Sequence, residues 1–363
     1  MYNVLHLLTG DDGGITAVVR DYYKYIDKEK IHFDIACITE NEGNDIAVLK
    51  EMGTEIFHLP MKSLGIKEYT QHLKRILKHK KYDAIHVHES MTSYIALKVA
   101  KEQGVKCRIA HAHTSAPYTS IRGEIRRLSG IILNYHYASN VIGCGKLAGD
   151  RVFGKFNMKR KKAVVLPNAI NVEKYSFNSD VRSLIRDDMG IKDKFVVGFI
   201  GRLSSEKNPL FSLKIMNEIR KKNKNAVLLM AGDGAEEGSI RQYIKENQLQ
   251  ENVRLLGKRK DAERLYQAFD VLILPSIHEG FPLVAVEALA SGLPVILSSN
   301  ITPEFSFSKI VKYLKIDNAC DWADYINKIA KGYVRTKHLN ELDAEVFDIK
   351  NVVKKLEKIY LGL

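Results

Sequence analysis

Short β-branched apolar runs alternate with segments of helical period along nearly the whole chain, and that alternation restricts the possible folds more than any other feature. In the first half the apolar runs occupy residues 4–8, 33–38, 55–59, 84–87, 108–111 and 140–142. Between them apolar side chains return every three or four positions, as Ile15, Val18, Val19, Tyr22 and Tyr25 do on one face of a helix. A second series follows the basic run Lys159-Arg160-Lys161-Lys162, at residues 164–166, 195–200, 226–230, 253–255, 271–274 and 295–297. Strand–helix–strand alternation produces parallel sheets, so the expected class is α/β with two successive open sheets. At 363 residues the chain exceeds the usual span of one hydrophobic core. The expected division is a Rossmann-like domain over 1–160, a second over 161–345, and a terminal helix over 346–363 that packs back on the first.

Composition removes several classes. Hydrophobic residues make up 45% and charged residues 27%, with a mean hydropathy of −0.19, values of an ordinary folded protein rather than a disordered or membrane-embedded one. The first residues, Met1-Tyr2-Asn3-Val4-Leu5-His6, read as a strand and not as a signal peptide. Cys37, Cys107, Cys144 and Cys320 contain no C-x-x-C pair, so neither a zinc site nor a disulfide framework is expected and a reducing, cytoplasmic compartment fits. The formal net charge of +13 points to an anionic partner. Nucleic acid, nucleotide phosphates and an acidic lipid surface all qualify on charge alone.

In open parallel sheets, ligands bind at the carboxyl ends of strands, and the unusual residues of this chain cluster there. After the run at 271–274 comes Pro275-Ser276-Ile277-His278-Glu279-Gly280-Phe281-Pro282-Leu283, leading to Glu287 in an otherwise apolar stretch. Glu279 and Glu287 are eight residues apart, a little over two helical turns, so a helix starting between them presents both to one ligand. Gly280 admits close backbone approach, and the free N–H groups of the first turn, Leu283 among them, suit phosphate oxygens. A carboxylate at Glu287 needs a partner in such surroundings, and a ribose diol offers two hydroxyl donors. After the run at 195–200 come Gly201-Arg202 and, five residues on, Lys207. Two cations beside a flexible turn can neutralise a diphosphate, Arg through a planar fork and Lys as a point charge.

These motifs, with Pro167-Asn168-Ala169-Ile170 and Ala231-Gly232-Asp233-Gly234, resemble the retaining glycosyltransferases of family 4, which have the GT-B fold. The most specific part is the E-x(7)-E stretch opening Glu-Gly-Phe-Pro. The resemblance implies two Rossmann-like domains facing across a cleft and transfer of a sugar from a nucleotide donor with retention of configuration. No metal and no other cofactor is expected. It further implies that Arg202 and Lys207 hold the donor diphosphate, that Glu279 contacts the donor sugar, and that Glu287 binds the ribose. Gly201, Gly280, Phe281 and Leu283 belong to the same donor-binding loops, and the backbone near Gly257, Lys258 and Arg259 meets the base. Asp270 is read as structural. One departure stands out: Ile301-Thr302-Pro303-Glu304-Phe305 lacks the glycine-rich segment that many family members carry there.

The first domain is expected to supply the acceptor side. Thr9-Gly10-Asp11-Asp12-Gly13-Gly14 is a glycine turn opening a helix, and the resemblance turns Gly13 and Gly14 toward donor phosphates and acceptor. It is not G-x-G-x-x-G, so a dinucleotide site is poorly supported. Histidines stand at strand ends as His86/His88 and His111/His113, each pair on one strand face. No third and fourth ligand follow at zinc spacing. The resemblance gives His113 a hydrogen-bonding role toward the sugar; His86 and His111 read as core residues. Residues 118–132 alternate Arg with Ile and Leu at helical period, which fits either a plain domain helix or one lying on an anionic bilayer that holds a lipid-linked acceptor. The expected activity is transfer from a UDP-sugar to an acceptor hydroxyl in surface polysaccharide synthesis, at the inner face of the cell membrane. The alternatives are a nucleotide-sugar epimerase of the same architecture and a basic nucleic-acid-binding protein, the latter disfavoured by the lack of a recognised reader motif.

Overall fold

A computed structural model describes residues 1–10, 14–38, 43–113, 120–160, 162–279, 281–333, 335 and 344–363. It divides into two compact units, one of Met1–Ala169 with Asp348–Leu363 and one of Ile170–Phe347.

The first unit holds a seven-stranded sheet of β1 (Tyr2–Leu8), β2 (Ile31–Cys37), β3 (Ile56–His58), β4 (Ala84–Val87), β5 (Cys107–Ala112), β6 (Asn140–Gly143) and β7 (Ala163–Val165), in the order β3-β2-β1-β4-β5-β6-β7. The second holds β8 (Phe195–Ile200), β9 (Ala226–Ala231), β10 (Val253–Gly257), β11 (Val271–Leu274), β12 (Val295–Ser298) and β13 (Val311–Leu314), in the order β10-β9-β8-β11-β12-β13. Neighbouring strands pair in parallel. Helices on both faces bury the central strands completely, as β9, β11 and β12 show, which is why those runs are continuously apolar rather than alternating. In each sheet the order reverses once, between β1 and β4 and between β8 and β11. Such a reversal opens a crevice at the carboxyl ends of the two strands, the usual ligand position of this architecture.

Two expectations are corrected. The run at 164–166, read as opening the second sheet, is edge strand β7 of the first, with Val141 opposite Ala163. The basic run therefore precedes β7 inside the first unit, and the chain passes to the second unit only after Pro167-Asn168-Ala169. Strand β13 was not anticipated. Its Val-Lys-Tyr-Leu sequence carries an exposed lysine and only partly buried apolar residues, the composition of a sheet edge.

The terminal helix Ile349–Leu361 belongs to the first unit. Asp348 caps it by accepting from Lys350 N at 2.7 Å, and Val352, Val353, Leu356 and Tyr360 are buried along one face. Glu357 accepts from Asp27 N at 2.9 Å. In the second unit Trp322 is fully buried with its ring 5.9 Å from that of Phe211. Strand β8 passes close under Phe269: a Cβ on Gly198 would lie 2.1 Å from that ring. Phe269 is itself fully buried and cannot swing away. Gly198→Ala is expected to destabilise the second unit by at least about 1–3 kcal/mol through overpacking, read as a lowered midpoint in urea unfolding followed by circular dichroism.

Candidate active site

The loops that follow β8, β9 and β10 are tied to one another. Gly201 N donates to Ala231 O at 3.0 Å, Leu203 N to Asp233 O at 2.7 Å, and Gly232 N to Gly257 O at 2.8 Å. A Cβ on Gly232, whose φ is +142°, would stand 1.9 Å from the Gly201 carbonyl oxygen, so only glycine allows this approach. The Ala-Gly-Asp-Gly motif thus locks the Gly201-Arg202 turn in place. Arg202 and Lys258 are exposed on these loops.

At the β8/β11 reversal the structure joins two of the expected residues directly. Lys207 is ion-paired with Glu279, whose carboxylate also accepts from Ser276 Oγ at 3.0 Å. Backbone bonds support the pair: Ile277 N donates to Glu206 O at 2.8 Å, and Asn208 Nδ2 donates to Pro275 O at 3.2 Å. Glu279 also bridges to Ile301, on the segment where the family's glycine-rich stretch is missing. Lys207 is therefore not a bare cation awaiting a phosphate. Its charge is positioned by a carboxylate 72 residues away in sequence.

Glu287 lies on the helix Leu283–Ala290 and accepts from Tyr175 OH at 3.0 Å and Tyr266 OH at 2.5 Å. The hydroxyl donors inferred to satisfy this carboxylate are thus supplied by the protein itself. Burial first, and the Glu287 charge second, push the Tyr266 hydroxyl well above its ordinary pKa, so it stays a donor. Tyr175 and Tyr266 were missed by sequence reasoning, because a tyrosine in a helical run carries no mark of its partner.

Other expectations need revision in detail. The Phe281 ring is buried, 4.6 Å from that of Phe305 and 5.7 Å from that of Phe347, so it belongs to the core and cannot stack on a ligand. Arg259 forks onto Asp261 at 2.8 and 2.6 Å, which commits its guanidinium and leaves the neighbouring backbone as the group able to meet a base. Leu283 opens its helix, as read. Gly13 and Gly280 lie outside the described residues. Gly14 begins the helix Gly14–Tyr25, with open space where a side chain would stand. Asp270 has the structural role expected: it accepts from Val196 N at 2.7 Å and pairs with Arg182 and Arg186. A cavity of about 560 Å³ beside it is lined by Arg182, Phe195, Asp270 and Arg335, at the amino ends of β8 and β11 and so opposite the loops just described.

In the first unit the strand-end histidines form one hydrogen-bonded series. His113 Nε2 meets His88 Nδ1 at 2.8 Å, and His88 Nε2 meets His6 Nδ1 at 3.0 Å. Tyr360 OH lies 3.2 Å from His6 Nε2 and 2.7 Å from His86 Nδ1, and His86 Nε2 meets His111 Nδ1 at 3.1 Å. His86 and His111 are core residues, as expected. His113 sits at the end of the series, half-buried, with its ring centroid 5.0 Å from that of His88 and 4.1 Å from that of His111. Nitrogens of His88, His111 and His113, and of His6, His86 and His88, come close enough to hold a metal ion. Each ring already has an imidazole or tyrosine partner.

Known proteins similar to this chain are glycosyltransferases. The model described as "Glycosyltransferase Family 4" matches residues 12–174, and that described as "Glycosyl transferases group 1" matches residues 181–343. The chain is 30% identical to the putative glycosyltransferase EpsF of Bacillus subtilis, over 98% of its own length and 96% of the relative's. It is 28% identical, over 62% of its length and 60% of the relative's, to the Escherichia coli UDP-Gal:alpha-D-GlcNAc-diphosphoundecaprenol alpha-1,3-galactosyltransferase. Among solved structures, Anabaena HepE in complex with UDP superposes over all of both chains with a TM-score of 0.83 at 18% identity, which shows the same fold.

Burial holds the histidine series neutral. The pKa values of His6 and His113 are lowered to about 3 by burial, and those of His86, His88 and His111 fall well below the ordinary value through burial first and neighbouring imidazoles second. Their folded-state values lie below the unfolded value of about 6.5, so the associated stability is complete above that pH and is lost as pH falls below it. Each such histidine contributes a slope of up to about 1.4 kcal/mol per pH unit. Denaturant unfolding of the first unit is expected to show stability falling steeply from pH 6.5 to pH 5, and His111→Asn to make that slope shallower. A flat profile in this window would show that the series is protonated or open in solution.

Proposed function

The chain belongs to the family 4 glycosyltransferases, and on that footing we propose that it moves a sugar from a UDP-sugar to an acceptor hydroxyl of a growing surface polysaccharide, with retention at the anomeric carbon. The observation that carries the reading is the Lys207–Glu279 pair at the β8/β11 reversal, on loops that also fix Arg202 and start the helix bearing Glu287. That arrangement offers cations for a diphosphate, a carboxylate for sugar hydroxyls and a second carboxylate for a ribose. HepE binds UDP on the same fold, and the E. coli relative is named for a UDP-sugar donor and a lipid-diphosphate-linked acceptor.

In this reading Arg202 and Lys207 take up the charge that develops as the bond from the anomeric carbon to the diphosphate breaks. The electron pair leaves with the diphosphate, the acceptor oxygen bonds the anomeric carbon from the same face, and the acceptor proton passes to a departing phosphate oxygen. No dedicated base is needed. Glu279 orients Lys207 and accepts from the donor sugar, and two side-chain cations do the work that a metal ion does in other phosphate chemistry. Glu287, positioned by Tyr175 and Tyr266, accepts from a ribose diol in this reading. His113 hydrogen-bonds the sugar, and the transfer takes place at the cytoplasmic face of the membrane.

UDP is expected to raise the thermal midpoint of the protein, since a ligand that binds only the folded state stabilises it, and a panel of nucleotide sugars screened the same way identifies the donor. Lys207→Ala is expected to lower turnover by about 100-fold or more with the circular dichroism spectrum unchanged. Glu287→Ala is expected to abolish UDP binding and turnover. It also deprives the buried Tyr266 hydroxyl of its acceptor at a cost of about 1–3 kcal/mol, so Glu287→Gln, which keeps an acceptor oxygen, separates lost binding from lost folding. Near-wild-type turnover in Lys207→Ala would refute the assigned site.

A further inference from the structure

The helix Ile121–Tyr137 of the first unit carries its apolar stripe on the wrong side for a core helix. Ile121, Ile125, Leu128 and Ile132 are 82%, 62%, 54% and 68% exposed. At about 100° per residue these four fall within about 60° of arc. Gly130 and Asn134, the residues that seat the helix, lie on the opposite side: a Cβ on Gly130 would be 2.9 Å from the Met91 carbonyl oxygen, and Asn134 Nδ2 donates to Ser90 O and Met91 O. The fold is thus anchored through small and polar residues, while the large aliphatic ones face solvent. A contiguous patch of this kind marks a contact surface rather than a chance exposure.

The surroundings specify what the patch contacts. Phe156, 70% exposed, extends it, because the Arg160 guanidinium stacks over both the Phe156 ring and the Tyr135 ring of the same helix, at 4.6 and 5.7 Å. Exposed cations border it, Arg122 and Arg126 along the helix and Lys155 and Lys159 beside Phe156. The acidic residue nearest the stripe, Glu124, is neutralised by Arg127 at 2.6 Å and Arg151 at 2.9 Å. A second copy of the chain docking by a two-fold axis would set these cations against themselves. An anionic bilayer answers both features at once, its phosphates meeting the cationic border and its acyl region the stripe.

We propose that this face is a membrane-binding surface, in which the helix lies in the plane of an anionic phospholipid bilayer with its stripe about 5–10 Å into the interface. No described helix is long and apolar enough to cross a membrane, so the attachment is interfacial. The proposal deepens the reading of a transfer at the cytoplasmic face of the membrane, but it stands on the geometry of this face alone.

Sedimentation of the full chain with vesicles tests it without any turnover. Binding is expected to vesicles containing phosphatidylglycerol and not to pure phosphatidylcholine, and to weaken between ~0.1 M and ~0.5 M salt as charge is screened. Ile125→Gln/Leu128→Gln is expected to lower binding at least about tenfold, with circular dichroism and the UDP-induced rise in thermal midpoint the same as wild type. Three results would overturn the proposal: no sedimentation of wild type with the anionic vesicles, undiminished binding by the double variant, or light scattering that shows a dimer which the double variant dissolves while vesicle binding persists. A protein that binds vesicles but gains no thermal stability from UDP would contradict the donor assignment and leave this surface standing.

Discussion

A parallel strand covered by helices on both faces has nowhere to put a polar side chain except at its ends, and the placement of chemistry in this protein follows from that constraint. Strands β9, β11 and β12 are buried from end to end. The groups able to meet a ligand therefore stand on the loops that leave the carboxyl ends of the strands, and the function of the site depends on how firmly those loops are held. Glycine is the device that holds them. Because Gly232 admits the Gly201 carbonyl to within a distance no Cβ tolerates, the turns after β8 and β9 behave as one piece, and Arg202 is carried on that piece. The Lys207–Glu279 pair then links the loop after β8 to the loop after β11 across the strand reversal.

Where polar residues do enter the first sheet, they come as hydrogen-bonded sets. Asp34, wholly buried, is held by Lys80 at 2.6 Å, Tyr82 at 3.0 Å and His32 at 2.9 Å, and these contacts keep its carboxyl below the usual range despite burial. The histidine series obeys a proton count. A neutral imidazole has one N–H and one lone pair, so the rings from His113 through His88 and His6 to Tyr360, and on through His86 to His111, are satisfied head to tail with one proton per contact. Among the described buried ring nitrogens of the series, His111 Nε2 is without a partner. A second proton on any inner ring would set two donors against each other, which is why burial and mutual contact both favour the neutral form. Tyr360 closes the series from the terminal helix, 354 residues from His6, and that bond is one physical reason the last turn of the chain belongs with the first unit.

The fold was largely legible because fully buried strands write themselves as apolar runs, and the loops because their residue types are rare in such positions. Arg202, Lys207, Glu279 and Glu287 all fall on the strand-end loops or the helix that follows them. What could not be read were the pairings. Lys207 and Glu279 both looked like ligand contacts, and nothing in either segment says that one side chain neutralises the other. Glu287 looked like a buried carboxylate lacking donors, yet Tyr175 and Tyr266 reach it from 112 and 21 residues away. Phe281 carried the mark of a motif residue, but its ring joins Phe305 and Phe347. Strand β7 was given to the wrong sheet because a basic run reads the same whether it lies between two units or inside one. The Arg/Ile helix showed the opposite ambiguity: helical period identifies an apolar face without saying whether that face turns inward.

The excess of positive charge separates into populations that do different things. Arg182, Arg186 and Arg335 converge on the last carbonyls of the helix Ala262–Ala268 and the residue that follows it, where the helix dipole is negative, and on Asp270. Those cations are fixed by the fold and are poorly placed to draw in a ligand. Arg202 and Lys258 are exposed but stand on loops that cannot move freely, a combination suited to a compact anion of defined geometry such as a diphosphate. The cations of the Ile121–Tyr137 face flank aliphatic side chains instead of one another. A polyphosphate backbone would bury the cations and leave the aliphatic residues in water, whereas a lipid surface removes both from water together. In the proposed reading the same formal charge has a structural, a recognition and an interfacial part, and the apolar residue beside each cation tells the last two apart.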